Sequence, residues 1–250
     1  MSARNRLETK PLQFYRTALP GVDCSELQGK LIVIEGPDAV GRSTQIIRLR
    51  KWLEQNGHAV LDTGMARSAL AGKGIQQAKE GNTLGPVTMT LYYTTDLADR
   101  LENEIIPALR AGFVVLTDRY IYSIMARAIC RGEDRAWIER VVGFGLVPHH
   151  VFYLRAGVND LVSRVVLGRG HFDFWESGMD MRFGKNMYES FVKYQGKLIA
   201  VFDRLARTYG FEIIDATKPA DVIFAHLQQS IEKLFPEQRH PAARKRSGSR

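Results

Sequence analysis

Nine consecutive residues near the start of the chain have the types and spacing needed to hold phosphate groups. They follow a short apolar run at 31–34 and open a helical pattern. They are Gly36, Pro37, Asp38, Ala39, Val40, Gly41, Arg42, Ser43 and Thr44. A strand, a glycine-containing loop and a helix, in that order, are typical of sites that bind nucleoside triphosphates. The usual pattern, Gly-x-x-x-x-Gly-Lys-Ser/Thr, is met except that Arg42 replaces the lysine.

The charge of a triphosphate explains this spacing. Backbone N–H groups of such a loop point inward at anionic oxygens, its glycines allow close approach, and the following helix adds the positive end of its dipole. Ser43 is placed to offer its hydroxyl to Mg²⁺. Arg42 is able to neutralise phosphate charge, although its reach and angle differ from those of lysine. The alternative interpretation is a chance glycine turn between a strand and a helix.

A second polar pair, Asp118 and Arg119, follows the apolar run 113–117. Ligands of parallel α/β sheets bind outside the carboxyl ends of the strands, which is where this pair is expected. Asp118 is a candidate for orienting Mg²⁺, and Arg119 is a candidate for clamping a phosphate with two hydrogen bonds. A purely structural ion pair at the end of the strand is the alternative.

Short apolar runs alternating with longer helical patterns must position these residues. Predicted strands are 30–35, 58–63, 113–118, 149–155 and 211–216, and predicted helices are 43–56, 88–110, 185–209 and 219–234. The central strands are too continuously apolar to face water on one side, which favours a parallel sheet covered on both faces. The alternation therefore predicts a doubly wound α/β fold with a mainly five-stranded parallel sheet.

Composition predicts an ordinary globular chain. Its 250 residues are 45% hydrophobic and 25% charged, which indicates one domain. No apolar stretch reaches the roughly 20 residues needed to cross a bilayer, and the N-terminus lacks the apolar middle of a secretory signal. Two cysteines far apart, Cys24 and Cys130, indicate no disulfide framework, so we expect a reducing cytoplasm.

The net charge of +8 is concentrated at the two ends of the chain. Residues 1–17 carry a net +3 and residues 236–250 a net +4, which leaves the rest nearly neutral. A basic groove for nucleic acid is therefore not indicated. The tail 236–250 is predicted to be disordered, and either a solvated tail or a contact with RNA or an acidic surface accounts for its charge.

Several motifs in fixed order resemble those of the thymidylate kinase family. The stretch 35–45 is similar to the family's Glu-Gly-x-Asp-x-x-Gly-Lys-Ser/Thr opening, including the acid inside the loop. Segments 91–96, 106–112 and 118–120 with Ser123 then follow the family's middle section, and 148–154 and 214–216 resemble its later strands. The resemblance covers about 30–235 and implies a P-loop NTPase of the nucleoside monophosphate kinase type with a short mobile lid at about 164–184. It divides the chain into an N-terminal extension, 1–28, a kinase domain, 29–235, and the basic tail.

The family's activity implies transfer of the γ-phosphoryl group of ATP to dTMP, with Mg²⁺. Residues 36–44 would bind ATP, and Ser43 and Asp118 would bind the metal. The resemblance also implies a homodimer. Arg164, Arg169 and Arg182 are lid candidates, each with a solvated surface arginine as the alternative. The implied catalytic residues are Arg42, Asp38, Arg119 and Arg169, and the implied acceptor-binding residues are Arg67, Tyr93, Arg119, Ser123 and Arg127.

Three positions depart from the family pattern. Arg42 replaces the loop lysine, Leu97 stands where the family places a base-reading arginine, and Arg127-Ala128 replaces a polar or aromatic pair. An apolar side chain cannot donate to a carbonyl of the base, so selectivity is expected to be relaxed or redirected. Two other hypotheses stay open: a catalytically impaired nucleotide-binding protein with a regulatory role, and a kinase of a different small molecule.

Overall fold

A computed structural model describes residues 11–81 and 84–235, which form one five-stranded sheet with helices on both faces. The strands are β1 (Lys30–Glu35), β2 (Val60–Gly64), β3 (Val114–Asp118), β4 (His150–Arg155) and β5 (Glu212–Asp215). All four pairings are parallel, and the order across the sheet is β2-β3-β1-β4-β5. The doubly wound α/β fold is thus confirmed, and the predicted strands exist with ends shifted by at most two residues.

The register of the sheet brings the polar strand ends together. Ile34 of β1 and Gly64 of β2 both pair with Asp118 of β3, while Glu35 pairs with Tyr153 of β4. Because parallel strands end at the same edge, the loops after β1, β2 and β3 all open on one side of the sheet. This edge is where the predicted phosphate-binding residues meet.

Alternate residues of the central strand belong to two separate cores. Leu31 and Val33 pack into the cluster on one face of the sheet, and Ile32 and Ile34 into the cluster on the other. All four are fully buried. A strand with apolar side chains on both faces is unfavourable in water. Helices therefore pack against both faces of the sheet.

Nine α-helices occur in the described residues. They are α1 (Arg42–Gln55), α2 (Gly72–Gly81), α3 (Pro86–Arg100), α4 (Ile106–Arg110), α5 (Ile121–Cys130), α6 (Arg135–Val141), α7 (Val158–Gly168), α8 (Met187–Tyr209) and α9 (Ala220–Glu232). The long helix α8 has defined ends: the Asn186 side chain accepts from the N–H of Glu189, and Gly210 ends it with a φ of 69°.

The single helix predicted over 88–110 is interrupted. A π-helical turn at Leu101–Ile105 separates α3 from α4, and the N–H of Ile106 donates to the carbonyl of Leu101. Pro107 follows directly and has no N–H to continue the usual ladder, so the hydrogen-bond register changes just before it. Helices α2, α5, α6 and α7 were not predicted from the sequence.

The ends of the chain are described only in part. Residues 1–10 of the predicted extension and the whole basic tail, 236–250, lie outside the described residues. The part of the extension that is described packs on the domain, where Leu12 is buried and Phe14 forms an antiparallel bridge with Leu146. Within the described ranges, every helix is too short or too polar to reach across a lipid bilayer.

Candidate active site

The loop between β1 and α1 has the backbone conformation of a phosphate cradle. Gly36, Ala39 and Gly41 have positive φ angles of 152°, 62° and 99°. A Cβ on Gly36 would lie 2.6 Å from the carbonyl oxygen of Leu154, so only glycine fits there. Turns of this kind point successive N–H groups into one concavity, and helix α1 starts directly behind it. The loop can therefore hold an anion with main-chain donors.

Arg42 is bound into this loop and to the neighbouring strand. Its Nε donates to Asp118 Oδ1 at 2.7 Å, and one terminal nitrogen donates to the carbonyls of Gly36, at 2.8 Å, and Pro37. The residue is only 9% exposed. The planar guanidinium thus bonds loop and strand at once, which the single ammonium of lysine does less well.

Ser43 and Asp118 present oxygen atoms side by side at the start of α1. The Ser43 hydroxyl donates to Asp118 Oδ2 at 3.3 Å. Burial alone would raise the pKa of Asp118, but the charges of Arg42 and Arg119 outweigh it and lower that pKa. A hydroxyl and a carboxylate whose ionised form is favoured are ligands that Mg²⁺ accepts, so the predicted pair fits the metal.

Asp38 lies at the centre of the site and pairs with two arginines. Arg119 and Arg127 each donate to Asp38 Oδ1, at 2.5 and 2.8 Å, and Asp38 is 2% exposed. Burial raises the pKa of Asp38, yet the charges of Arg127 and Arg119 more than offset it and hold the pKa well below its usual range. The acid in the loop therefore keeps two cations in place beside the phosphate cradle.

Arg119 occupies a strained backbone position directly after β3. Its φ is 66°, which is uncommon outside glycine and is typical of functional sites when it occurs. Burial, followed by the charge of Arg42, lowers its pKa to about 10, so it stays a cation at neutral pH. Its side chain contacts Ser123, which is fully buried and donates to Glu35 at 2.6 Å. Ser123 thus supports Arg119 from behind.

Arg67 lies on the β2 side of the same edge. It pairs with Asp62 at 2.9 Å and approaches Asp118 to 4.0 Å, with a half-exposed side chain. The turn that carries it is held by Asp96 of α3, whose carboxylate accepts from the N–H groups of Ala66 and Ser68 at 3.0 and 2.8 Å. Asp96 is therefore a positioning residue, a role that was not predicted for it.

The loop and the arginines bound to Asp38 line a cavity of about 1130 Å³. Arg67, Asp118 and Ser123 are not among the described residues that line it. Its lining includes charged residues, among them Asp38, Arg42, Arg119, Arg127 and Arg169. It also includes the apolar or aromatic residues Met65, Ile75, Tyr93 and Trp175. A cavity that combines cationic groups with aromatic side chains suits a phosphorylated aromatic ligand.

The segment 169–186 joins α7 to α8 and contributes residues to the lining of the cavity; we call it the lid segment. Arg169 pairs with Glu176 inside it, and Trp175 Nε1 donates to the carbonyl of Lys79 on α2 at 2.7 Å. Residues 164–168 of the predicted lid belong to helix α7. Arg164 bonds to the carbonyls of Val40, at 2.7 Å, and Ala216, beside the loop.

Two further predicted positions lie away from the cavity. Arg182 is exposed and has a φ of 51°, in agreement with its interpretation as a surface arginine. Leu97 is fully buried in the core. It therefore cannot take over the function of the base-reading arginine that the family places at this position. Arg127, about one turn before the end of α5, is a buried donor that lines the cavity and could instead bind the base.

Gln195 is a site residue that was not predicted from the sequence. It is fully buried in the middle of α8 and bonds to Asp38. The only available signal was a polar residue on the apolar face of a helix, which does not reveal partners more than 150 residues away.

The glycine loop, the arginine-lined cavity and the parallel sheet define a P-loop phosphotransferase of the nucleoside monophosphate kinase type. The thymidylate kinase family model matches residues 34–226, and the chain belongs to the thymidylate kinase family. The predicted resemblance is therefore confirmed.

Curated relatives agree over most of their length. The chain is 33% identical to a probable thymidylate kinase 2 of Saccharolobus solfataricus over 212 residues, which are 84% of this chain and 97% of that protein. It is 30% identical to a thymidylate kinase of Clavibacter michiganensis subsp. michiganensis over 217 residues, 84% and 97% of the two chains. A probable thymidylate kinase of Thermococcus kodakarensis is 29% identical over 217 residues, 83% and 99%.

Proposed function

We propose that the protein is an ATP-dependent nucleoside monophosphate kinase that transfers the γ-phosphoryl group of ATP to dTMP, giving ADP and dTDP. The observation that carries this proposal is the pairing of Asp38 with Arg119 and Arg127 beside the glycine loop, in a chain of the thymidylate kinase family. Two phosphate-binding regions thus lie on either side of one acid. The reaction belongs to nucleotide biosynthesis.

The donor side consists of residues 36–44. The loop N–H groups and the α1 N-terminus hold the ATP phosphates, with Arg42 fixed against the loop carbonyls and Asp118. Ser43 and Asp118 would hold a magnesium ion, which would neutralise part of the phosphate charge when bound. Phosphoryl transfer needs little covalent chemistry from the protein, so these contacts act by orienting and neutralising the reactants.

The acceptor side consists of Arg67, Arg119 and Arg127, with Tyr93 beside the base. Phosphate oxygens of dTMP accept hydrogen bonds from Arg119 and Arg127. When dTMP is absent, Asp38 holds these two side chains in position. Ser123 orients Arg119 without touching dTMP. Arg169, released from Glu176, closes over the transferring group and excludes water. Before dTMP binds, Asp38 is ionised, because the charges of Arg127 and Arg119 outweigh its burial and lower its pKa.

Arg127 also has a donor free for the base. Its Nε is buried and has no hydrogen-bond partner within the described part of the chain. A buried N–H without a partner is unfavourable, and a carbonyl of thymine or uracil would satisfy it. Because Leu97 is in the core, Arg127 is the residue we assign to carbonyl recognition. Arg127→Ala should raise the KM for dTMP at least tenfold and leave the KM for ATP within about threefold.

A coupled assay of ADP release tests the function. Purified protein with ATP and Mg²⁺ is offered dTMP, dUMP, dCMP, UMP and CMP in separate reactions. We expect turnover with dTMP and, at lower efficiency, with dUMP, since the two share the carbonyl pattern of the base. Absence of turnover with every acceptor would refute the kinase proposal and favour an impaired nucleotide-binding protein.

We also infer a homodimer and a cytoplasmic location. Leu70, Val87 and Leu91 are exposed apolar residues of the segment 70–91, and Val87 and Leu91 lie about one turn apart on α3. Light scattering should give twice the chain mass, and Leu91→Glu should reduce it to that of one chain. Cys24 and Cys130 are free thiols, in keeping with a reducing compartment.

A further inference from the structure

A single buried amide, Gln195, joins the glycine loop to the lid segment. It lies in the middle of α8 among Phe191, Tyr194 and Leu198, all fully buried. A polar group in such surroundings is costly unless its hydrogen bonds are made, so its partners indicate its purpose.

Every hydrogen-bonding group of this amide is used. Its Oε1 accepts from the main-chain N–H of Asp38 at 3.3 Å, and its Nε2 donates to Asp38 Oδ2 at 3.0 Å. The second Nε2 hydrogen reaches the carbonyl of Glu176 at 2.7 Å. The orientation of the amide follows from its partners, because only nitrogen can donate to both a carboxylate and a carbonyl.

The bonds beyond Gln195 extend this link at both ends. On the loop side, Asp38 holds Arg119 and Arg127. On the lid side, the Glu176 carboxylate holds Arg169. One amide therefore connects the acceptor-side arginines with the arginine of the lid segment, although it does not itself line the cavity among the described residues.

We propose that Gln195 is a positioning residue that keeps the lid segment in register with Asp38, an inference that rests on the proposed function. When the acceptor phosphate accepts hydrogen bonds from Arg119 and Arg127, the carboxylate of Asp38 loses these two partners. Its interaction with the amide of Gln195 then becomes stronger. The amide passes this change to residue 176, and Arg169 is brought over the phosphates. The residue thus couples acceptor binding to closure.

A matched control exists on the same helix. The buried hydroxyl of Ser190 donates to the carbonyl of Ser177 at 2.7 Å, next to the carbonyl that Gln195 holds. Ser190 anchors the lid segment to α8 without contacting Asp38. A comparison of the two residues separates coupling from simple anchoring.

The test uses Gln195→Met, Gln195→Glu and Ser190→Ala in the full chain. Methionine keeps the length of the side chain and removes both hydrogen-bonding ends, whereas glutamate keeps the shape and places a second carboxylate against Asp38. Steady-state kcat and KM for ATP and dTMP are measured beside the melting temperature. In a Trp52→Phe, Trp137→Phe background, the fluorescence of Trp175 reports the lid segment directly.

We expect Gln195→Met to lower kcat ten- to a hundredfold, with both KM values within about threefold, and to abolish the Trp175 response to dTMP. Gln195→Glu should lower kcat at least as much, and it decides the outcome if the methionine variant does not fold. Ser190→Ala should keep kcat within about threefold and retain the fluorescence response.

Equal kcat values for the folded Gln195 and Ser190 variants, or an unchanged Trp175 response in the Gln195 variants, would overturn the inference. Failure of the proposed function is a different result, in which the wild-type protein turns over no acceptor. In that case the Trp175 response to dTMP, compared between Gln195 and Ser190 variants, still decides whether the coupling exists.

Discussion

Arg42 and Asp118 form an ion pair between the glycine loop and the end of β3, with 2.7 Å between Nε and Oδ1. Both side chains are about nine-tenths buried. The arginine that replaces the usual lysine therefore orients the proposed magnesium ligand as well as the loop carbonyls. This is the behaviour of a site adapted to arginine, and it makes the effect of restoring lysine predictable.

Arg42→Lys should lower kcat about tenfold, because lysine keeps the charge and loses the simultaneous contacts with Asp118 and the loop. Arg42→Ala should lower it on the order of a thousandfold, the cost of removing a charge that stabilises the transferring group. Steady-state assays with ATP and dTMP measure both. Arg48→Lys, on the outer side of the same helix, is the control and should be neutral. A higher rate in Arg42→Lys would contradict the adapted site.

Leu97→Arg should not recreate base recognition. Leu97 is fully buried among apolar side chains, so a guanidinium there loses its water without gaining a partner. We expect the free energy of unfolding to fall by at least about 3 kcal/mol, measured by urea denaturation. Ile47→Arg is the matched change at an exposed helical position and should cost less than about 0.5 kcal/mol. Equal stability of the two variants would show that residue 97 is accessible.

Asp96→Asn should destabilise the fold and weaken acceptor binding together. Arg100 Nε donates to Asp96 Oδ2 at 3.0 Å in a fully buried pair, and the two terminal nitrogens of Arg100 have no hydrogen-bond partner within the described part of the chain. Loss of the carboxylate charge leaves a buried cation, at a cost of about 3–5 kcal/mol. The KM for dTMP should also rise, because the same carboxylate holds the turn of Arg67.

A double-mutant cycle checks this explanation. Adding Arg100→Met to Asp96→Asn should recover most of the lost stability and little of the KM change, since methionine removes the cation but does not restore the turn. Asp99→Asn is the control, because the half-buried carboxylate of Asp99 accepts from the N–H of Leu70 and from Asn103 and forms no ion pair within the described residues. If the double variant is no more stable than Asp96→Asn alone, the buried cation is not the cause.

Stability should decrease below about pH 6.5 through His149. Its Nδ1 accepts from the N–H of Leu31 at 3.0 Å, and burial, with a smaller effect of Lys30, lowers its pKa to about 4. The unfolded chain therefore takes up this proton first. The contribution of the neutral ring is complete above about pH 6.5 and is lost as the pH falls toward 4.

The lost free energy is at most about 3 kcal/mol, and less where water reaches the ring. Chemical denaturation at pH 7, 5.5 and 4.5 measures it. In His149→Asn, where an amide oxygen can accept the same bond, the slope over this range should become smaller. An unchanged slope would assign the acid sensitivity to other groups.

Much of the fold followed from the sequence, and the reasons are local. The strands were predicted because β1, β3 and β4 are continuous apolar runs bounded by polar residues. Helix α5 was missed because eight of its ten residues are buried, so no polar face marks a helical period. Helix α2 was missed because Gly72, Gly74 and Gly81 obscure its pattern.

The site could be predicted where its functional residues are adjacent in the sequence. Residues 36–44 and the pair Asp118–Arg119 are adjacent in sequence and carry their own signals. Asp96 and Gln195 act across long separations, and no local pattern distinguishes them from other polar residues in helices. Arg127 was predicted as an acceptor-binding residue and as a departure from the family pattern; its contact with Asp38 required coordinates.

Glu35, at the end of β1, has a mechanical consequence for the whole enzyme. Its buried carboxylate accepts from the N–H groups of Tyr120 and Ser123 and from the Ser123 hydroxyl, fastening the first turn of α5 beneath the triphosphate cradle. These hydrogen bonds cannot break without exposing a buried carboxylate to water. The part of the site formed by β1 and α5 is therefore rigid, and the movement needed to enclose two nucleotides must come from the lid segment.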